Sequence, residues 1–397
     1  MQLNDKKFRL AILASHPIEY QGPLFQKLAK EHDIDLHVYY CWKFGVENET
    51  FDTGFNRKIR WDIPLLEGYS YSFLANLSLF PSGGFFGEMN PGIISAVTKR
   101  KHDAFLVLGW SSFTSWLLYL TSFVRGVPVL IRGENPLSLE FKKPAWKRAV
   151  KKLILGFLFR RAAVLLPIGK ENEKFYEYYG APKKKLFFAP YAVDNDRFVA
   201  DGEKYRDRCA ALKKELGIDS GKPVILFVGK LIPRKRPMDL LRAYESVSDR
   251  ATLVYVGDGT LQASLKAYAR EKKLTNVHFL GFQNQAGLPR LYASADIFAL
   301  PSGWETWGLV VNEAMCFSLP IIASNVLGCI PDLVYHGENG YVFNVGDISA
   351  FSGYLRILVN DPKKRLDFGR RSFEIIKNYS YERDIESMRN AVAYIKK

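Results

Sequence analysis

Short, predominantly apolar runs recur along most of the chain, separated by amphipathic stretches, and this alternation most restricts what it can fold into. A run with no polar face must be covered on both sides, as the strands of parallel sheets are. The first half has such runs at 9–14, 35–40, 104–108, 127–132, 163–168 and 186–189. The second half has them at 224–228, 252–256, 277–279, 297–300, 320–323 and 340–343. Helical periodicity at 23–31, 237–248, 261–272 and 289–294 fills gaps between them. The pattern predicts an α/β fold built on parallel sheets.

A chain of 397 residues is long enough for two domains. The polar, charge-dense segment 201–222 carries Gly at both ends and no strand pattern, and a new strand series begins at Val224. We therefore expect two Rossmann-like domains facing each other across a cleft. The first is expected over 1–200, followed by a linker over 201–222 and a second domain over 223–379. A last helix, about 380–397, is expected to pack back on the first domain. No short-period repeat interrupts this plan.

Composition narrows the function. The 56 Lys and Arg against 41 Asp and Glu leave +15, which calls for an acidic partner: nucleic acid, an anionic membrane or a phosphorylated substrate. The surplus is local, because 142–161 holds eight basic residues and no acid. Cys41, Cys209, Cys316 and Cys329 are scattered without zinc-site spacing, and are expected to be reduced in a cytoplasmic protein. The apolar stretch near the start, Leu10 to Ala14, is too short for a secretion signal. The uncharged stretch from Ala104 to Val124 is long enough to span a bilayer, but its Gly, Ser and Thr content fits a buried strand, a turn and a buried helix better.

Two segments carry the chemistry. In 300–328 a strand ends at Pro301, a loop presents Glu305, and a helix is expected from about Gly308 to Ser318. With Glu313 five residues into that helix, a rise of ~1.5 Å per residue puts it roughly 7 to 8 Å past the N-terminus, with Glu305 in front. The two carboxylates then flank helix amides suited to an anion. A diphosphate on the Gly308 and Leu309 amides fits, with one carboxylate for hydroxyls of a transferred sugar and the other for a ribose diol. In 224–244 a buried strand ends at Gly229, followed by a basic loop and a helix opened by Pro237, the place where α/β sheets bind ligands. There Lys230 and Lys235 can meet charge building on a departing diphosphate. Solvated surface side chains are the alternative in both segments.

With PS before Glu305, WGL after it, EAM at Glu313 and LPIIAS beyond, 300–328 resembles the E-x7-E signature of retaining nucleotide-sugar glycosyltransferases of the GT-B fold, most closely family 4. The resemblance is strong over 222–345 and weaker before. It implies that Glu305 holds the donor sugar and Glu313 the ribose. It likewise implies donor contacts from Gly229, Gly257, Gly259, Phe282, Thr306, Gly308 and Leu309. Lys230 stands where the family has Arg, which loses bidentate binding, whereas Lys235 aligns with the family's Lys. In the first domain Arg132 and Glu134 follow a strand after which the family often has His, and His16 and the Gly22 backbone lie in a ligand-side loop. These four are candidates for the acceptor or phosphate side. Asp194 and Asp196 imitate a metal-binding DxD, but no obligatory metal or cofactor is expected beyond the nucleotide-sugar co-substrate.

The reaction implied is sugar transfer from a UDP- or GDP-sugar to a hydroxyl of a glycan or lipid-linked acceptor, in cell-surface polysaccharide or glycolipid synthesis. The basic stretch 142–161 interleaves Trp146, Val150, Leu153, Ile154, Phe157 and Leu158 at near-helical spacing. It suits either an anionic bilayer surface, with the protein peripheral on the inner face of the membrane, or a surface helix with a core-facing stripe. The rival function is a non-catalytic GT-B-like protein that binds anionic membrane or polyanion through that helix. Nucleic acid is not expected as a partner, since no RRM, KH or OB pattern accompanies the charge.

Overall fold

The computed structural model describes residues 7–46, 50–52, 57–99, 101–206 and 208–397. They form two compact units. One unit comprises Met1–Thr50, Ile63–Pro190 and Tyr381–Lys397, the other Phe51–Asp62 and Tyr191–Ser380. The chain passes between them after Thr50, Asp62, Pro190 and Ser380. The segment 201–222, where a linker is expected, lies inside the second unit and includes the helix Cys209–Glu215 and much of the helix Asn195–Arg206.

In chain order the strands before residue 190 are β1 (Phe8–Ala14), β2 (Ile34–Tyr40), β3 (Thr50–Asp52), β4 (Arg57–Ile59), β5 (Ser70–Phe73), β6 (Ala104–Leu108), β7 (Val129–Arg132) and β8 (Val164–Leu165). The first sheet has the order β5-β2-β1-β6-β7-β8, while β3 and β4 pair as a separate ribbon. Its ladders are parallel, with Leu10 opposite both Leu36 and Ala104. Residues 104–125 form a strand and a helix, not one continuous helix. Ser112 caps the Phe113–Arg125 helix by accepting the Ser115 amide at 3.2 Å, and Gly126 ends it in the left-handed conformation. Among the described residues no helix is long and apolar enough to cross a membrane.

Three strand expectations change. The run 163–168 contracts to two residues, because Pro167 has no amide to donate to a ladder. The run 186–189 forms no regular strand and meets 165–167 through an isolated bridge, Leu186 to Leu165, and a bond from the Ala189 amide to the Pro167 carbonyl at 2.9 Å. The strand β5, with its Ser-Tyr-Ser-Phe sequence, is unmarked by any apolar run because it lies at the sheet edge.

The second sheet contains β9 (Val224–Val228), β10 (Thr252–Val256), β11 (Val277–Phe279), β12 (Ile297–Leu300), β13 (Ile321–Ser324) and β14 (Gly340–Phe343), in the order β11-β10-β9-β12-β13-β14. Every residue of β9, β10, β12 and β13 is buried, as strands covered on both faces require. Both sheets therefore have the doubly wound order in which the chain reverses direction beside its first strand, leaving a crevice at the strand carboxyl ends.

The C-terminal helix Tyr381–Lys396 belongs to the first unit. Arg132, at the end of β7, bonds Asp384 at 2.8 and 3.1 Å with both side chains buried, and Tyr381 donates to the Tyr20 carbonyl at 2.7 Å. Burial pushes the Asp384 carboxyl up while Arg132 pulls it down. Removing one partner of such a pair leaves a buried charge uncompensated, at a cost of about 3–5 kcal/mol. Asp384→Ala should lose stability of that order in urea unfolding, whereas Asp384→Asn, which keeps an acceptor for Arg132, should lose less. Equal midpoints for wild type and Asp384→Ala would show that the pair does not hold the helix.

Candidate functional site

In the second unit the chain reverses between β9 and β12, and the loops leaving these two strands carry the sequence's strongest candidates. Gly229 and Lys230 follow β9, Lys235 lies in a short 3-10 turn (Pro233–Lys235), and Glu305 and Thr306 follow β12. Lys235 Nζ lies 2.6 Å from Glu305 Oε1, and Arg234 Nη1 donates to Glu305 Oε2 at 2.8 Å. Glu305 is only 6% exposed. Its Oε1 faces that ammonium in a charge-assisted contact. Burial pulls the Lys235 ammonium down from its ordinary pKa, opposed by Glu305. Arg234 also stacks over the Trp304 ring, 4.5 Å from its centre. The carboxylate thus joins the loops on either side of the switch point.

Glu313 lies on the helix Leu309–Cys316 and is 7% exposed. Its Oε2 accepts from the buried Tyr292 hydroxyl at 2.6 Å. Neither Glu305 nor Glu313 is a solvated surface carboxylate. Gly308 precedes the helix with φ 112°, a conformation that favours glycine, so the chain turns abruptly and the helix amides begin at Leu309. Behind this turn Trp307 Nε1 donates to Asn312 Oδ1 at 2.9 Å, and Asn312 Nδ2 donates to the Tyr191 carbonyl at 2.8 Å.

Neighbouring loops are joined through the backbone. The Gly229 amide bonds the Val256 carbonyl at 2.9 Å, the Gly257 amide the Gly281 carbonyl at 2.8 Å, and the Leu231 amide the Asp258 carbonyl at 2.8 Å. A Cβ at Gly257 would lie 2.1 Å from the Gly229 oxygen, so no side chain fits there. Gly259 shares the loop after β10, and Phe282 sits half-buried after β11. The second unit therefore gathers the donor-side candidates along the carboxyl ends of β9 to β12. Arg234 and Tyr292 are not evident as site residues from sequence. Arg234 is signalled only by adjoining Lys235, and Tyr292 is 21 residues from the glutamate it holds.

The first-unit candidates separate. The Arg132 guanidinium is engaged by Asp384 and lies within 3.5 Å of the Ala189 carbonyl, so the expected ligand role gives way to a structural one. The Gly22 amide donates to the Ile18 carbonyl at 3.0 Å and starts a helix, so it is not an open ligand donor. Glu134 accepts a long bond from Tyr20 at 3.5 Å. His16 Nδ1 lies 2.8 Å from Ser15 Oγ, and its ring meets Trp42 and Phe44 edge-on at 5.6 and 5.1 Å. Asp194 Oδ1 accepts the Arg197 amide at 3.3 Å, as a helix-start carboxylate does.

Residues 210–374 match the model of the family described as glycosyl transferases group 1. Sulfoquinovosyl transferase SQD2 of Arabidopsis thaliana is 31% identical over 310 residues, 76% of this chain and 58% of the plant protein. The UDP-Gal:alpha-D-GlcNAc-diphosphoundecaprenol alpha-1,3-galactosyltransferase of Escherichia coli is 29% identical over 277 residues, 67% of this chain and 68% of that protein. The chain thus spans less than two thirds of the plant relative. Among solved structures, Anabaena HepE in complex with UDP superposes with a TM-score of 0.74 at 17% identity, covering 98% of this chain and 100% of HepE. WaaG, a glycosyltransferase involved in lipopolysaccharide biosynthesis, superposes at 0.66 and 16% identity, covering 95% of this chain and 98% of WaaG. These likenesses establish the GT-B fold.

Burial lowers the His16 imidazole to about 4 from its ordinary 6.5. The unfolded chain therefore binds a proton before the folded one as pH falls, and stability drains away between those two values. The melting temperature should decline across that window, and His16→Gln should flatten part of the decline. An identical pH profile for the variant would show that His16 is not the group responsible.

Proposed function

Because the chain belongs to glycosyl transferases group 1, we propose that it moves a sugar from a nucleoside-diphosphate sugar to a hydroxyl of a glycan or lipid-linked acceptor, retaining configuration at the anomeric carbon. The observation that carries this reading is the pairing of buried Glu305 with buried Lys235 and half-buried Arg234 at the switch point of the second sheet. Two cationic side chains, Arg234 and Lys235, hold one carboxylate there, and Lys230 adds positive charge beside Lys235, an excess suited to a diphosphate. The E. coli relative is named for a UDP-sugar donor and a lipid diphosphate acceptor, which favours UDP among the donor bases.

Amides opening the Leu309–Cys316 helix receive the phosphates, and Lys235 with Lys230 offsets charge developing on the leaving diphosphate. Glu305, held between Lys235 and Arg234, accepts a hydroxyl of the transferred sugar. Glu313, oriented by Tyr292, takes the ribose diol. Gly229, Gly257 and Gly259 allow close approach of the nucleotide, and Phe282 and Thr306 border it. The acceptor meets the first unit, where His16 and Glu134 remain the candidates. In this reading the lysines supply the positive charge that offsets the donor diphosphate, and no obligatory metal is invoked.

UDP, GDP, ADP and dTDP compared by thermal shift should show stabilisation by UDP above the rest, since a ligand at 100 times its Kd adds about 2.7 kcal/mol. Glu313→Gln should keep the circular dichroism spectrum and lose at least ~100-fold in UDP release from UDP-sugar with acceptor, the scale of a lost transition-state contact. Wild-type turnover in that variant at both saturating and limiting donor would overturn the assignment. Stabilisation by no nucleotide, with lipid binding intact, would favour the non-catalytic rival.

A further inference from the structure

The first unit exposes large apolar side chains on three elements, where a soluble surface normally scatters them. The loop 77–86 presents Leu79 at 88% and Phe80 at 84% exposure, together with Leu77, Phe85 and Phe86. The Phe113–Arg125 helix presents Leu120 and, at 84%, Val124. The Ala145–Arg161 helix presents Trp146, Val150, Ile154 and Phe157 and, at 76%, Leu153. Ring contacts make these elements continuous. Phe85 and Phe86 meet Phe113 at 6.2 and 6.1 Å, and Phe123 meets Phe157 at 6.4 Å.

Positive charge is interleaved with the apolar side chains. Lys147 lies over the Trp146 ring and Arg161 over the Phe157 ring, each 5.4 Å from the ring centre. Lys142, Lys152 and Arg160 are also exposed, and 141–161 contains no acid. The stretch 68–87 carries no charge of either sign. The Ala145–Arg161 helix therefore does not use its sequence stripe for the core alone. Leu155, Leu158 and Phe159 face inward while Trp146, Leu153 and Phe157 face water. Aromatic and aliphatic side chains bordered by Lys and Arg are what an anionic bilayer interface selects.

We propose that loop 77–86, the Phe113–Arg125 helix and the Ala145–Arg161 helix form one membrane-docking face, with Leu79 and Phe80 entering the acyl boundary and the basic helix meeting anionic headgroups. Charge complementarity selects this occupant over a second copy of the chain, since an isologous contact would bring two acid-free basic stretches together. The surface goes beyond the transfer reaction, and vesicle binding reports on it without donor or turnover.

The full chain is sedimented with vesicles of phosphatidylcholine alone and of phosphatidylcholine with about one-third phosphatidylglycerol, at low and high salt. Binding is expected on the anionic vesicles and should weaken at least tenfold in high salt. The double variant Leu79→Ser, Phe80→Ser should weaken anionic binding at least fivefold, as should Lys147→Glu with Lys152→Glu, both with unchanged circular dichroism and melting temperature. Equal partition to neutral and anionic vesicles, or no binding to either, would overturn the proposal. So would a dimer that the Leu79, Phe80 variant dissociates while vesicle binding stays the same.

Discussion

Each six-stranded sheet reverses its winding beside its first strand, and the positions available for chemistry depend on that constraint. In a parallel sheet the loops at one edge run down to covering helices, and only where neighbouring connections leave in opposite directions does a crevice remain. In the second sheet this point lies between β9 and β12, and Glu305 spans it by reaching Lys235 and Arg234 from the opposite loop. Two charges in so buried a place are tolerable only if paired. Glu305 therefore fixes the loop it comes from and also the lysine expected to face a diphosphate. Gly257 extends the same constraint to β10, because its close approach to the Gly229 oxygen leaves no room for a Cβ.

How much of this was legible in the sequence depended on distance along the chain. Runs such as Val224–Val228 and Thr252–Val256 announce themselves because burial on both faces demands an unbroken apolar string. Strand β5 does not, since an edge strand can keep serines among its aromatic residues, and 163–168 misleads because Pro167 interrupts a ladder that hydropathy alone would continue. The same holds in the site. Glu305 and Glu313 are legible from their spacing, because one loop and one helix fix where each carboxylate starts. Tyr292 and Arg234 are hydrogen-bond partners from other loops, and no local pattern specifies them. Arg132 shows the limit most plainly, being placed at a ligand-side strand end yet bonded to a residue 252 positions away.

The net charge of +15 divides into two kinds of positive charge that behave differently. Within the basic stretch, Lys143 and Lys151 both bond Glu140, at 2.7 and 2.8 Å, and Tyr179 donates to its other oxygen at 2.6 Å. Burial would raise the Glu140 carboxyl, but these bonds hold it below its ordinary range. Those two lysines are thus structural. Lys142, Lys147, Lys152, Arg160 and Arg161 are exposed, where charge is cheap to maintain and screened over about 8–10 Å at ordinary salt. Lys235 is the opposite case, buried and pulled toward neutrality, so Glu305 must oppose that pull for it to stay charged. A charge held in that way acts over a short range and little affected by salt, as neutralising a leaving diphosphate requires. The exposed set attracts from further away and weakens with salt, as reversible attachment to a surface requires.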